Sequence, residues 1–180
     1  FEQNITQEKY GTEITGSYDS TMLNTYRILT IGQEKYMFLN LDFKDVSFTG
    51  KYSFQYVKRA KLDSCRLDTK DAFWHAKNVT IEDSVVKGEY LAWYAENIRF
   101  VRCKLMGTQP LCYVKDLVLE DCTTEGCDLS FERSHVTATI NGHIDSVKNP
   151  ISGSITADSI GEIILEEEIV VPGECKITIR

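Results

Sequence analysis

The sequence predicts an all-β protein folded as a right-handed, single-stranded parallel β-helix, in which coils of about 19 residues stack on one another. Short segments of similar sequence begin at Arg59, Asn78, Asn97 and Asp116, so each start lies 19 residues after the previous one. Apolar and polar residues alternate within these segments, as they do in strands. Between residues 40 and 165 no apolar stripe with helical spacing is sustained. Equal spacing without insertions therefore indicates one stacked repeat.

Stepping through the chain by this period produces apolar columns that are predicted to stack inside the coils. Two of them contain Leu41, Ala60, Val79, Ile98 and Leu117, and Phe43, Leu62, Ile81, Phe100 and Leu119. Two more contain Val46, Cys65, Ser84, Cys103 and Cys122, and Phe48, Leu67, Val86, Leu105 and Thr124. Outward columns such as Lys77, Glu96 and Lys115 alternate in charge. Since neighbouring coils lie about 4.8 Å apart, opposite charges would be adjacent.

Residues 1–40 differ from the repeat and are predicted to form an N-terminal extension with a capping β-hairpin. Two β-rich runs, residues 26–31 and 36–41, flank a turn that contains Gly32. An open β-helix end exposes unpaired backbone groups and apolar side chains. We therefore expect this hairpin to fold over Phe43 and Phe48, either alone or with the same region of a second subunit. The favoured state is a homo-oligomer through this N-terminal end, and a monomer is the alternative.

The parallel β-helix is predicted to span residues 41–165, followed by a C-terminal cap and tail over 166–180. After residue 133 the strand-like segments are less evenly spaced and are interrupted by glycines, which indicates shorter, tapering coils. Three consecutive glutamates from Glu166 would form an acidic cap that disfavours further strand pairing. A final strand is predicted at residues 175–179.

Charge and composition restrict the classes of function. The 180 residues include 20 basic and 27 acidic side chains, for a formal net charge of −7. This balance argues against general binding to nucleic acid or to an anionic membrane surface. No apolar run reaches the roughly 20 residues needed to span a bilayer. Because residues 1–4 show neither a basic region nor an apolar run, no signal peptide is visible and a cytoplasmic location is expected.

The six cysteines are interpreted as reduced and mostly buried thiols, which agrees with a cytoplasmic protein. No pair has the CxxC spacing of many metal and redox sites. Cys103 and Cys122 lie in one column and should be near enough to bridge. A column of buried thiols is the favoured interpretation, and a disulfide is the alternative.

A candidate binding surface comes from an aromatic column in which Tyr56, His75, Tyr94 and Tyr113 lie 19 residues apart. The adjacent column contains Gln55, Trp74, Trp93, Cys112 and Phe131. Neighbouring residues of a strand point to opposite sides. We therefore predict that the tryptophan column lies in the core and the tyrosine column is exposed. An exposed aromatic row could stack on sugar rings or pack against another subunit, or it could simply cover the coil surface.

Asp63 and Glu82 are the candidate catalytic residues, because they are outward carboxylates one coil apart. A separation near 5 Å would suit a retaining glycosidase, but no basic partner is expected beside them on that face. The three histidines, His75, His135 and His143, lack metal-ligand spacing, and GxSxG is absent. We predict no metal and no cofactor. The favoured function is a non-catalytic scaffold or a solenoid that binds carbohydrate or another partner.

Several segments look like a bacterial family catalogued as domain-of-unknown-function family 3737. The resemblance covers residues 43–165 and is carried by DAFW at 71–74, GEYL at 88–91, EGCDLSFE at 125–132, IDSVKNP at 144–150 and IGEII at 160–164. The segment at 144–150 is the most specific. The resemblance implies a pectate-lyase-like right-handed β-helix and supplies no activity or catalytic residues. That analogy raises the alternative function, a polysaccharide lyase or glycoside hydrolase acting through the outward carboxylates.

Residues 18–43 resemble instead a strand pair of calcineurin-like metallophosphoesterases. The similar stretch runs from Asn24-Thr25-Tyr26 to Leu39-Asn40-Leu41-Asp42-Phe43. The metal-binding motifs of that family, GDxH, GNHD and GHxH, do not occur in the sequence. The resemblance therefore implies neither a metal nor phosphoesterase activity, and it indicates a foreign or rearranged N-terminal segment.

Overall fold

The fold is a parallel β-solenoid of about 7 turns, seen in a computed structural model that describes residues 5–7, 12–16 and 41–180. The part of the chain that the structure describes is all β, and it contains no helix able to cross a membrane. The capping hairpin predicted over residues 26–41 lies outside the described residues, apart from Leu41.

Fourteen strands follow one another in the described residues. They are β1 (Ile5–Gln7), β2 (Thr12–Gly16), β3 (Leu41–Lys44), β4 (Val46–Lys51), β5 (Ala60–Asp63), β6 (Arg66–Lys70), β7 (Lys77–Glu82), β8 (Val85–Lys87), β9 (Glu96–Val101), β10 (Lys104–Met106), β11 (Lys115–Glu125), β12 (His135–Lys148), β13 (Ser152–Ile164) and β14 (Cys175–Ile179). The first side of the solenoid is formed by β3, β5, β7, β9 and the start of β11. The second side is formed by β4, β6, β8, β10 and the end of β11.

The predicted repeat is confirmed by the register of the strands. On the first side Leu41 pairs with Ala60, Ala60 with Val79 and Val79 with Ile98, so each partner lies one repeat further along the chain. These residues are buried, and the column continues to Leu117. Each coil therefore adds one layer to a continuous apolar core, and the backbone groups of its strands are satisfied by the coils on either side.

The third side of the coils is a turn in which every second residue has a positive φ. In the second full coil, Asp71, Phe73 and His75 have φ of 56°, 61° and 54°. Such residues cost roughly 1–2 kcal/mol each in backbone strain. The Phe73 N–H donates to the carbonyl of Ser53 in the coil before (2.8 Å), and the His75 N–H donates to Trp93 in the coil after (3.0 Å). Hydrogen bonds to both neighbouring coils therefore hold the strained turn in place.

One core column contains thiols and a hydroxyl that bond to the backbone of adjacent residues or coils. The Sγ of Cys103 donates to the Ile81 carbonyl (3.3 Å), and the Sγ of Cys122 donates to the Phe100 carbonyl (3.4 Å). Ser84, which precedes Cys103 in the predicted column, also lies in the core. All six cysteines are free, and all except Cys175 are buried. The predicted column of reduced thiols is therefore confirmed.

The fourth predicted column ends one coil earlier than expected. Leu105 pairs with Thr124 in the strand register, but Thr124 is only half-buried and donates its hydroxyl to the His143 carbonyl (2.5 Å). The register of β11 with β12 shifts at this level, since Leu119 pairs with Ala138 but Cys122 pairs with Ile140. The Thr124 hydroxyl is therefore satisfied by the neighbouring coil at the surface and not in the core.

The two ends of the solenoid are built differently. At the N-terminal end, β1 and β2 form an antiparallel hairpin, and β2 pairs antiparallel with β4, with Ile14 opposite Phe48. The sequence analysis predicts a hairpin at residues 26–41 and does not predict β1 or β2. At the C-terminal end, β14 pairs in parallel with β13, which confirms the final strand predicted at residues 175–179. The sheet thus continues beyond residue 165, where the β-helix was predicted to end.

Substitution of Gly107 by alanine is expected to lower the free energy of unfolding by roughly 2 kcal/mol or more. Gly107 has φ of 121°, and an added Cβ would lie 2.3 Å from the carbonyl oxygen of Gly88 in the previous coil. Backbone atoms cannot yield as a flexible side chain can. Gly126 is the matched control, because its φ is 63° and an added Cβ would meet nothing within 4 Å. Urea denaturation should show a loss of only about 1 kcal/mol for Gly126→Ala, and equal losses would contradict this account.

Alkylation of the native protein with iodoacetamide, at a dilution at which it is monomeric, should modify Cys175 first. This thiol is only half-buried, whereas burial raises the pKa of Cys112 and of Cys127 to about 12 and so keeps them as unreactive thiols. Mass spectrometry of the native protein should show one rapid modification, and the urea-unfolded protein should take up six. Rapid native labelling of Cys103 or Cys122, or a mass lower by two hydrogens, would contradict the column of buried free thiols.

Candidate functional site

The four aromatic residues predicted to form a column are stacked on the third side of the solenoid. Ring centroids are 4.9 Å apart between Tyr56 and His75, 5.2 Å between His75 and Tyr94, and 4.8 Å between Tyr94 and Tyr113. The rings are inclined to one another by only 7° to 13°. All four residues have positive φ, so each coil turns its ring in the same direction. The structure brings these residues together, while their role in binding stays a prediction.

Trp74 and Trp93 lie outside the core, so their predicted core position is wrong. Both are half-buried, and their rings stack at 5.6 Å with an angle of 4°. The core positions of these two coils are occupied by the preceding residues, Phe73 and Ala92, which are fully buried. The prediction assumed that neighbours alternate between two faces, as in a strand. In this turn the alternation of left-handed and right-handed residues allows both the tryptophan and the tyrosine columns to face outward.

The same column was also predicted to continue through Phe131, and this is wrong. The Leu111 N–H donates to Leu91, and in the next coil the Phe131 N–H donates to Pro110, so Phe131 follows Leu111 and not Cys112. One extra residue in that coil lengthens the spacing. Phe131 is accordingly buried. An alignment of the repeats at a constant spacing of 19 residues cannot detect this insertion.

The indole N–H groups fix the tryptophans to the backbone of neighbouring coils. The Trp74 Nε1 donates to the Tyr90 carbonyl, and the Trp93 Nε1 donates to the Gln109 carbonyl, both at 2.7 Å. The ring of Trp93 also meets the edge or face of Tyr113 at 5.5 Å and an angle of 70°. Because the polar atoms of the indoles are used internally, what they present outward is apolar ring surface.

We call this surface the aromatic strip. It consists of Tyr52, Tyr56, Trp74, His75, Tyr90, Trp93, Tyr94 and Tyr113. Tyr52 and Tyr94 are its most exposed members, at 45% and 47% of their surface. Sequence reasoning identified the two columns and missed Tyr52 and Tyr90, which lie outside them. The sequence feature that could have identified these two tyrosines is the high aromatic content of every third-side turn from residue 52 to residue 94.

Charged side chains lie at the margin of the aromatic strip. The Lys70 Nζ lies 5.2 Å from the Tyr90 ring centroid and 2.7 Å from the Glu89 carboxylate. A cation over an aromatic face at this distance is attractive. On this side the aromatic strip is therefore bordered by the positive charge of Lys70, which is paired with Glu89.

The other end of the strip lies beside a half-buried ion pair. The Lys148 Nζ is 3.2 Å from the Glu132 carboxylate, and their side chains are only 24% and 19% exposed. Burial raises the pKa of the Tyr113 phenol, and the negative charge of Glu132 raises it further. Tyr113 is accordingly a neutral hydrogen-bonding group at physiological pH.

The segment at 144–150, the most specific part of the family resemblance, supports this end of the strip. The Ser146 Oγ accepts a hydrogen bond from the Leu129 N–H (2.6 Å). The buried side chain of Asn149 donates to the Glu166 carboxylate (3.0 Å) and accepts from the Glu166 N–H (2.8 Å). Together with the Lys148 ion pair, these bonds fix three coils to one another. The residues of this segment therefore have a structural explanation.

The candidate catalytic carboxylates are neighbours, but each is paired with a lysine. Asp63 and Glu82 face each other in the strand register. Lys44 Nζ lies 3.1 Å from Asp63, and Lys61 Nζ lies 3.2 Å from Glu82, so the expectation that this face lacks a basic partner is wrong. The pKa of Asp63 is lowered, first by the hydrogen bond from the Ser64 hydroxyl and then by Lys44. A general acid needs a raised pKa, and the Asp63 environment acts in the opposite direction.

The histidines are dispersed over the solenoid. His75 is part of the aromatic stack, whereas the Nδ1 of His135 lies 2.7 Å from the Ser152 hydroxyl and that of His143 lies 2.9 Å from the Ser159 hydroxyl. Each of the latter contacts joins neighbouring strands. Across residues 5–7, 12–16 and 41–180, no group of three or more His, Cys, Asp or Glu side chains is arranged to hold a metal ion.

Comparison with known proteins gives one match. Residues 18–178 match the family model described as "Protein of unknown function (DUF3737)". The match begins at residue 18, well before residue 43, so it includes the segment that resembles a metallophosphoesterase strand pair. No curated protein and no solved structure matches the chain. Because the family match covers most of its length, the chain belongs to the DUF3737 family of proteins of unknown function.

Proposed function

We propose that this chain is a non-catalytic binding solenoid, and that the aromatic strip is the surface on which it binds a partner protein. The observation that carries the proposal is the unbroken outward stack of four rings with the two tryptophans alongside it. Aromatic side chains are enriched at the centres of protein interfaces, where they bury much area at little entropic cost.

The geometry of the stack favours a protein over a carbohydrate as the partner. A sugar ring binds by lying flat on an aromatic face. Inside the column the faces of His75 and Tyr94 are covered by their neighbours, whose ring centroids lie 4.8 Å to 5.2 Å away. The outward parts are ring edges, which suit hydrogen bonds and edge contacts with protein side chains.

The charged surface outside the aromatic strip also supports the assignment of the strip as the binding site. On the first two sides, outward charges are paired between coils, as in Arg102 with Asp83 (2.7 Å) and Lys87 with Asp68 (2.9 Å). These pairs keep the sheet faces hydrated and contribute little stability individually. The aromatic strip differs from them in being apolar and continuous over four coils, which is how an interaction site differs from ordinary surface.

Photo-crosslinking in the cells that produce the protein tests this proposal. A photoreactive phenylalanine analogue in place of Tyr94 should form an adduct with a discrete protein, whereas the same analogue at Thr80, on the first side, should not. The captured protein, prepared separately, should bind the wild-type chain at least about tenfold more tightly than it binds Trp93→Ala. Thr80→Ala should bind like the wild type.

Tryptophan fluorescence provides the second arm, because the chain has two tryptophans and both lie in the strip. Homogalacturonan, xylan and cello-oligosaccharides should leave the emission unchanged and should not be cleaved. A saturable change in emission with one of these glycans would show that the aromatic strip binds a carbohydrate and not a protein. Cleavage that disappears in Asp63→Ala would overturn the non-catalytic proposal. If the captured protein binds the wild type and Trp93→Ala with equal affinity, the aromatic strip is not its binding site.

A further inference from the structure

Large exposed apolar side chains occur in two places on the described part of the chain. Tyr52 and Tyr94 belong to the aromatic strip. The other four, Ile163, Leu165, Val171 and Ile179, lie at the C-terminal end of the solenoid, where they are 42% to 67% exposed. The exposed apolar side chains at the C-terminal end therefore form a second surface, distinct from the aromatic strip.

The last strand at this end has an open edge. Within the described residues β14 pairs only with β13. The Gly153 N–H donates to the Glu174 carbonyl and the Arg180 N–H donates to the Ala157 carbonyl. The backbone groups of the even-numbered residues of β14 thus face β13. By strand alternation, those of Cys175, Ile177 and Ile179 face outward along the solenoid axis.

We propose that two copies of this chain dimerise end to end by antiparallel pairing of their β14 strands about a twofold axis at Ile177. In this register Ile177 faces Ile177 of the second copy, and Cys175 faces Ile179. These are the residues whose N–H and C=O groups point outward, so each facing pair exchanges both of its hydrogen bonds. A symmetric pairing of this kind is closed and adds no further copies.

The side chains fit this register on both faces of the sheet. Toward the interior, Cys175 and Ile177 already pack against the hydrophobic core. Their counterparts would extend that core across the junction. Toward the outside, Glu174 would face Arg180 of the second copy, and Lys176 would face Thr178. Opposite charges directly across an antiparallel pair are favourable, and no like charges face each other.

The alternative registers are less complementary. A shift of the twofold axis by one residue, to Lys176, would keep the hydrogen bonding of the odd-numbered residues but would place Lys176 directly opposite itself. The acidic residues Glu167 and Glu168 lie in the turn before β14 and outside the paired segment. The register about Ile177 is thus selected by charge, because it is the one that places Glu174 opposite Arg180 and no like charges opposite each other.

Charge reversal with rescue tests the proposal on the whole chain. Size-exclusion chromatography with light scattering should show a dimer at micromolar concentration. Glu174→Arg and Arg180→Glu alone should each raise its dissociation constant about tenfold, because like charges then face each other. The double variant should restore dimerisation, even though the Arg180 guanidinium also contacts Asp158 (2.9 Å), the Ile140 carbonyl (3.0 Å) and Asn141 (3.1 Å) within its own chain. Glu168→Arg is the matched control at the same end and should leave the dimer intact.

Amide hydrogen exchange gives an independent readout. In the dimer the amides of Cys175, Ile177 and Ile179 should exchange slowly, and in Glu174→Arg they should exchange rapidly while those of Lys176 and Thr178 stay protected by β13. A wild-type monomer at micromolar concentration, or a dimer unaffected by either single reversal, would overturn the proposal. Trp93→Ala should not change dimerisation, so failure of this proposal and failure of the proposed function are distinguishable.

Discussion

The backbone hydrogen bonding between successive coils is the interaction on which the rest of this structure depends. Every coil uses its neighbours to satisfy its strands, and a third-side turn such as 71–75 donates to the coil before and the coil after. This double attachment offsets the strain of left-handed residues such as Phe73 and His75. It also requires close approach of successive coils, which explains why there is no space for a Cβ at Gly107. In such a solenoid each coil is stabilised by the coils on either side of it, through both the backbone hydrogen bonds and the stacked apolar core.

The same vertical spacing creates the chemistry of each surface. When identical positions recur about 5 Å apart, side chains of one type meet their counterparts directly above and below. Charges on the first two sides become ion pairs between coils, such as Lys77 with Glu96. Aromatic rings on the third side become a stack, and thiols inside become a column that bonds to carbonyl groups. Pairing places a lysine beside each of Asp63 and Glu82, whereas stacking leaves the ring edges available for contact.

The two surfaces with exposed apolar residues differ in their physical character. The aromatic strip runs along the solenoid, and its breadth and its rigid rings suit recognition of a separate protein. The C-terminal end lies across the solenoid axis, and its open strand carries directional donors and acceptors that suit another strand. The acidic net charge of −7 and the paired sheet faces keep the remaining surface hydrated. The two proposals are compatible, because the aromatic strip lies apart from the strand edge assigned to the dimer.

The sequence by itself determined the all-β solenoid, the period of its repeat and the first two core columns, because strand register converts a repeat directly into vertical contacts. It also located Tyr56, His75, Tyr94 and Tyr113 on one line. Tertiary structure decided the orientation of Trp74 and Trp93, since left-handed residues in the third-side turn break the two-face alternation assumed for a strand. It decided the place of Phe131, through an insertion that a fixed step cannot register, and the pairing of Asp63 with Lys44. These depend on local backbone conformation and side-chain reach, which a period alone does not encode.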